Sequence, residues 1–175
     1  IDPHHHLWNR GGSTYLAPEL LADLTTSHNV VRSVFVECKA NYDRSVDRHM
    51  APVGETVFAA GEADAIDAAG GPKLAGIVAH ADMMLGDAVE EVLAAHASFP
   101  LVRGIRQKPK AAASPDDYVP NMPGSMMDPK FRAGYALLEQ HALSYDLQTP
   151  WWHLHEAADL ANDFPATQII INHTG

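Results

Sequence analysis

The sequence predicts an α/β domain of parallel strands joined by crossover helices. Three observations carry that prediction. Short β-branched apolar runs alternate with longer amphipathic stretches to the last residue, the clearest run is apolar on both faces, and the 175-residue chain has no internal repeat. Hydrophobic residues make up 46% of the chain, enough to build a core, so one compact domain over residues 1–175 is the expected organisation.

The first strand is predicted at Ile1 to Leu7. A helix follows from Pro18 to Thr26, with Pro18 in its first turn and Leu20, Leu21 and Leu24 on one face. Val31 to Lys39 is the second strand: Val34, Val36 and Cys38 alternate with Ser33, Phe35 and Glu37, and only Glu37 breaks the apolar character. A helix from Val53 to Ala69 stops at Gly70-Gly71, the residue type best able to turn left-handed at a helix end. The third strand is Leu74 to His80, Asp87 caps a helix running to Ala97, and Leu101 to Arg106 is the fourth strand.

Between Pro109 and Pro129 the chain carries five prolines and little periodicity, which marks either a functional loop over a site, the reading favoured here, or a mobile segment. A helix at Pro129 to His141, a strand at Ser144 to Thr149, a helix at Trp152 to Asp163 and a strand at Gln168 to His173 complete the chain. Six strands and five crossover helices fit either a doubly wound sheet or most of a (β/α)8 barrel. A whole barrel typically takes about 250 residues, so this chain would supply about the first six βα units, with its C-terminal part missing.

Twelve Lys plus Arg against 22 Asp plus Glu leave a formal charge of −10, which argues against nucleic acid or an anionic membrane as partner. The single Cys38 cannot close an internal disulfide and suits a reducing, cytoplasmic setting. No apolar stretch approaches the roughly 18 residues that would read as a membrane span. The expected partner is a small molecule, and a homo-oligomer is compatible with the sequence.

The chemistry-bearing residues concentrate at strand ends. In Asp2-Pro3-His4-His5-His6 the period of two sends His4 and His6 to one face and His5 to the other. Two neutral imidazoles at i and i+2 can reach one divalent ion, as in a zinc-type site that takes further ligands from other strands. A tag remnant and ordinary exposed histidine are the bland alternatives, but tags sit in flexible polar ends rather than in an apolar strand leading to Leu7 and Trp8. Ile169, Ile170 and Ile171 lead through Asn172 to His173 at the carboxyl end of the last strand, the end that lines the binding mouth in parallel α/β domains. We therefore expect His173 to join His4 and His6.

Other candidates are substrate contacts. Glu37 ends the second strand in apolar surroundings, so it is either a contact or ligand in the site or half of an ion pair with Arg32 or Arg106. Arg106 ends the fourth strand and offers a planar fork to a carboxylate or another substrate oxygen, a structural salt bridge being the alternative. Trp151, beside Trp152, His153 and His155, offers an aromatic wall for a sugar ring or simply packs at a helix start. Cys38 has no base nearby in sequence and is not expected to act as a nucleophile.

The opening Ile-Asp-Pro-His-His-His-Leu-Trp resembles the D-x-H-x-H-x-W start of the amidohydrolase superfamily, in its amidohydrolase-2 branch. Val34-Phe35-Val36-Glu37-Cys38, Gly54-Glu55, Gly104-Ile105-Arg106-Gln107, Tyr145-Asp146-Leu147 and Ile171-Asn172-His173-Thr174-Gly175 extend the likeness along the chain. It is most similar to lactonases acting on sugar lactones (L-fuconolactonase-like) or on pyrone dicarboxylate. The resemblance implies a (β/α)8 TIM barrel with His4, His6 and His173 in the active-site mouth as catalytic groups or metal ligands. It also implies zinc or another divalent ion, although part of the lactonase branch works without one. In that family an acidic residue at the end of strand eight handles the proton of the attacking water, so the general base is expected outside these residues. The expected function is lactone hydrolysis; a metal-dependent decarboxylase and a catalytically silent binding fragment are the alternatives. By itself the chain is expected to be inactive and poorly stable.

Overall fold

The computed structural model describes residues 1–173; the Thr174-Gly175 end of the last matching motif lies outside the described residues. Two compact units divide the chain. The first comprises Ile1–His80 and Ala95–Arg103, the second Ala81–Ala94 and everything from Gly104 onward.

In the first unit, β1 (Asp2–His5) leads into a short hairpin, β2 (Trp8–Arg10) and β3 (Ser13–Tyr15), before α1 (Ala17–Thr26). β4 (Arg32–Val36), α2 (Val53–Ala68) and β5 (Lys73–Ala79) follow. β1 pairs in parallel with β4, and β4 with β5, placing Phe35 opposite both His5 and Ile77. Leu7, Leu20, Phe35, Ile66 and Ile77 are fully buried, so helix faces and strand faces share one apolar core. The hairpin was not anticipated. Gly11 and Gly12 turn it with φ of 60° and 76°, values that cost glycine little, and Trp8 stacks on Tyr15 with ring centroids 5.1 Å apart. The strands are shorter than the sequence suggested: β1 ends at His5 rather than Leu7, and β4 at Val36 rather than Lys39, because Lys39 and Asn41 adopt left-handed backbone that cannot extend a ladder. α2 stops where expected, with Gly70 at φ 74°.

α3 (Glu90–Ala97) and β6 (Val102–Arg106) each run across the boundary between the units. In the second unit, α4 (Pro129–Ala136), β7 (Ser144–Leu147), α5 (Leu154–Asp163) and β8 (Ile169–Ile171) complete the chain. β6, β7 and β8 pair in parallel, with Arg106 opposite Asp146 and Asp146 opposite Ile170. Phe131, Tyr135 and Tyr145 form the aromatic heart of this core; Tyr135 and Tyr145 meet edge to face at 5.2 Å, and the Tyr145 hydroxyl donates to the Gln107 carbonyl at 2.5 Å.

Asp87 does not cap a helix. The segment Met83–Val89 is a 3-10 turn broken at Gly86 (φ 60°, ψ −136°), and Asp82 caps it by accepting from the Met84 amide. The helix expected to reach His141 ends at Ala136 and continues only as a 3-10 turn at Glu139–His141, and α5 begins at Leu154, behind a 3-10 turn at Trp151–His153. The proline-rich loop holds one 3-10 turn, Pro115–Asp117, and is tied down at Ala112. Ala112 donates its amide to His153 Nε2 at 2.9 Å and accepts from Trp152 Nε1 at 3.2 Å.

Six strands in parallel pairs, with helical crossovers, match the expected α/β class. No helix among the described residues is long and apolar enough to cross a membrane.

Candidate active site

The first unit gathers its polar side chains where β1 and β4 end. His4 and His6 lie edge to face with ring centroids 5.0 Å apart, while His5 is buried and packs its ring against Phe35. The period of two thus sorts the triplet as the sequence suggested. Burial is the main reason His5 is pushed down to about 4, so it stays neutral at ordinary pH. His6 Nδ1 lies 2.7 Å from the Val36 carbonyl oxygen. A carbonyl only accepts, so Nδ1 carries a ring hydrogen, and in the neutral ring Nε2 would keep its lone pair for another partner.

Glu37 follows β4 directly, is 5% exposed, and donates its amide to the Val78 carbonyl at 2.9 Å. The next turn is held from α2: Glu55, itself buried, accepts from the amides of Cys38 and Ala40 at 2.8 Å each. Burial pushes the Glu55 carboxyl up to about 7 against the pull of these two amides, and the nearby Glu37 charge adds to the rise. Cys38 donates its thiol to the Leu7 carbonyl at 3.4 Å and is pushed up to about 11, first by burial and then by the Glu55 charge, which leaves it a poor nucleophile. Tyr42 stacks on His80 at 6.3 Å, and burial raises its hydroxyl as well.

The second unit carries its own polar chain at strand ends. Arg106, 5% exposed, closes β6 and donates from Nη1 to Asn172 Oδ1 at 3.4 Å; Asn172 Nδ2 donates to Asp146 Oδ2 at 2.8 Å. Asp146 is raised by burial, partly offset by Asn172 and by the Arg106 charge. His173 follows at φ 57° with an exposed side chain, so the last strand ends at Ile171 instead of reaching it. Trp151 is 65% exposed and meets Trp152 edge to face at 5.7 Å.

Sequence reasoning found His4, His6, Glu37 and Arg106 at strand ends. It overlooked Asp146 and Asn172 as partners of Arg106, and Glu55 as the holder of the turn after Glu37. Asp146 stands in the Tyr145-Asp146-Leu147 match, and its own signal there is a carboxylate inside an apolar strand.

The imidazole pair can be tested against a divalent ion by its own geometry. Two imidazoles bound to one tetrahedral ion at about 2.0–2.1 Å hold their ring centroids roughly 5 Å apart. His4 and His6 have that spacing, and the Val36 carbonyl supplies the outer hydrogen bond that fixes a ligating ring. That spacing, which ordinary edge-to-face ring packing also gives, leaves room for two corners of such a site; no three His, Cys, Asp or Glu side chains form a metal-holding group among the described residues.

Comparison with known proteins gives a consistent answer. The amidohydrolase family model Amidohydro_2 matches residues 1–175. The uncharacterized protein y4mH of Sinorhizobium fredii (strain NBRC 101917 / NGR234) is 34% identical over 197 residues, covering 100% of this chain and 62% of that protein. A crystal structure of an amidohydrolase from Burkholderia multivorans with bound zinc superposes with a TM-score of 0.62 at 21% identity, covering 97% of this chain and 56% of that one. A second crystal form of that protein, with bound HEPES, gives 0.57 at 18% identity over 95% and 53% of the two chains. The chain therefore spans a little over half the length of the relatives it matches.

Proposed function

Because the chain belongs to the amidohydrolase family, we propose that it serves a lactone hydrolase, which opens a cyclic ester of a sugar or carboxylic acid by carbonyl polarisation and attack of water. The observation that carries this reading is the His4–His6 pair, with the His6 ring held through Nδ1 by the Val36 carbonyl. His4, His6 and His173 are assigned to polarising the carbonyl or holding a divalent ion. Arg106 holds a substrate oxygen or carboxylate through its planar fork, and Glu37 and Trp151 contact the substrate. The zinc bound to the Burkholderia protein supports a divalent ion here. When bound, such an ion supplies Lewis acidity and a water whose pKa approaches about 7. Without it, the imidazoles would polarise the carbonyl directly, so loss of activity on chelation separates the two routes.

A decarboxylase is the second reading, favoured by the buried Arg106 cation, which suits an acid substrate. Full-length protein assayed on a panel of sugar and acid lactones is expected to open at least one ring. No turnover on any lactone would overturn the proposal, and release of carbon dioxide from an acid substrate would establish the alternative. In a zinc titration, His6→Ala is expected to weaken binding by at least about tenfold, the scale of a lost ligand or its support. Equal affinity in the two proteins would remove the metal from the reading.

A further inference from the structure

We propose that the cavity walled by Arg10, Lys39 and Arg44 in the first unit is an anion subsite, taking a carboxylate or phosphate substituent of the substrate. Its consequence is that the site selects acidic lactones over neutral ones, which rests on the lactone reading and narrows it.

The cavity measures about 480 Å³, and besides the three cations it is lined by Asn9, Asn41 and Tyr42, with no carboxylate in its wall. Such a composition is unusual in a chain with 12 cationic side chains against 22 acidic ones. Neither of the ion pairs His5–Asp2 and Lys73–Asp67 of the first unit draws on the three cations. A cleft walled by one sign of charge focuses the field and raises the local concentration of the opposite ion, even where each exposed contact alone is weak.

The wall is built, not incidental. Arg10 stands at the end of β2, where the Gly11-Gly12 turn fixes the hairpin, and its Nη1 donates to the Cys38 carbonyl at 2.8 Å. That bond uses one donor of the guanidinium and leaves the rest of the fork for an oxyanion. Lys39 and Asn41 both hold left-handed backbone, at φ 63° and 51°, a strained arrangement kept in place by the bonds that the Cys38 and Ala40 amides donate to Glu55. Gly54 lets this turn approach α2, since a Cβ there would come within 2.6 Å of the Asp43 amide nitrogen.

Position relates the cavity to the imidazoles. His6 is tied to the Val36 carbonyl and Arg10 to the Cys38 carbonyl, two residues further along the same strand end. An anionic substituent held by Arg10 therefore belongs to a molecule whose reacting group lies toward the histidine pair.

The test uses the full-length protein and three lactones of similar size: uncharged, carboxylate-bearing and phosphorylated. We expect kcat/KM to favour an acidic lactone by about tenfold or more, the scale of one charge-assisted contact. The Lys39→Gln and Arg44→Gln variants, both at exposed positions, should each erase most of that preference, and added salt should erode it. Whether the carboxylate or the phosphate arm responds identifies the source of the anion. Preference for the neutral lactone, or variants that depress all three alike, would overturn the subsite. Titration with succinate and with inorganic phosphate, followed by the NMR signals of the arginine side chains, separates the two proposals. Anion binding that perturbs Arg10 and Arg44 in a protein that opens no lactone would leave the subsite standing and the hydrolase reading fallen. If neither anion perturbs them, the subsite falls whatever the protein hydrolyses.

Discussion

At the scale of single residues, Glu55 holds the most stringent balance. Its carboxylate anchors two amides of the turn after β4, yet burial and the Glu37 charge press it toward its neutral form, near 7 instead of the usual 4.5. Between these two values the folded chain keeps a proton that the unfolded chain has released. The contribution of this group to stability is therefore greatest below 4.5 and falls as pH rises to 7, by about 1.4 kcal/mol per pH unit. Glu55→Gln removes the titration while keeping an oxygen to accept from Cys38 and Ala40. Urea unfolding at about pH 6 and pH 8 should show the wild type losing roughly 1 kcal/mol more than the variant across that interval. Equal losses would mean that Glu55 is already charged at pH 6. The histidine pair was legible in the sequence because strand period is a local rule. The roles of Glu55 and Asp146 were not, although both stand in matching motifs, because those roles depend on pairings 17 and 26 residues away that no local pattern encodes.

Elements show the same division. The parallel strands were readable because their apolar runs are continuous, as strands covered on both faces require, and the stop of α2 was readable from Gly70. The β2–β3 hairpin escaped notice although Gly11-Gly12 between Trp8 and Tyr15 is its signal; three-residue strands give too little alternation to register. Helix starts were misplaced where 3-10 turns precede them, as before α3 and α5. α4 offers a direct test of packing against propensity. Gly134 sits inside this helix, where alanine would gain up to about 1 kcal/mol of helix propensity. A Cβ there, however, would lie 2.5 Å from the Met83 carbonyl oxygen, a backbone atom that cannot step aside. Overpacking costs typically about 1–3 kcal/mol, so the clash outweighs the propensity and Gly134→Ala should lower stability. Thermal unfolding that rises in this variant would show that the helix and the Met83 turn separate easily.

For the whole molecule, charge and exposed apolar surface act in opposite directions. In the first unit Ile1 and Val31 are 77% and 56% exposed; in the second, β8 pairs only with β7 among the described strands and leaves Ile170 and Ile171 41% and 53% exposed. A strand with one open side and apolar side chains is a template for pairing with another chain. Against it stands the formal charge of −10, whose repulsion acts over a Debye length of about 10 Å at 0.1 M salt and about 3 Å at 1 M. Burying one isoleucine is worth on the order of 1.5–3 kcal/mol and is not screened by salt as charge repulsion is, so screening shifts the balance toward association. The 175-residue chain should therefore sediment with increasing weight-average mass as salt is raised, and Ile170→Lys with Ile171→Thr should suppress that increase by placing charge and polarity on the open strand. Mass that stays constant with salt in both proteins would show that β8 is not the associating edge and that the −10 charge is not what holds the chains apart.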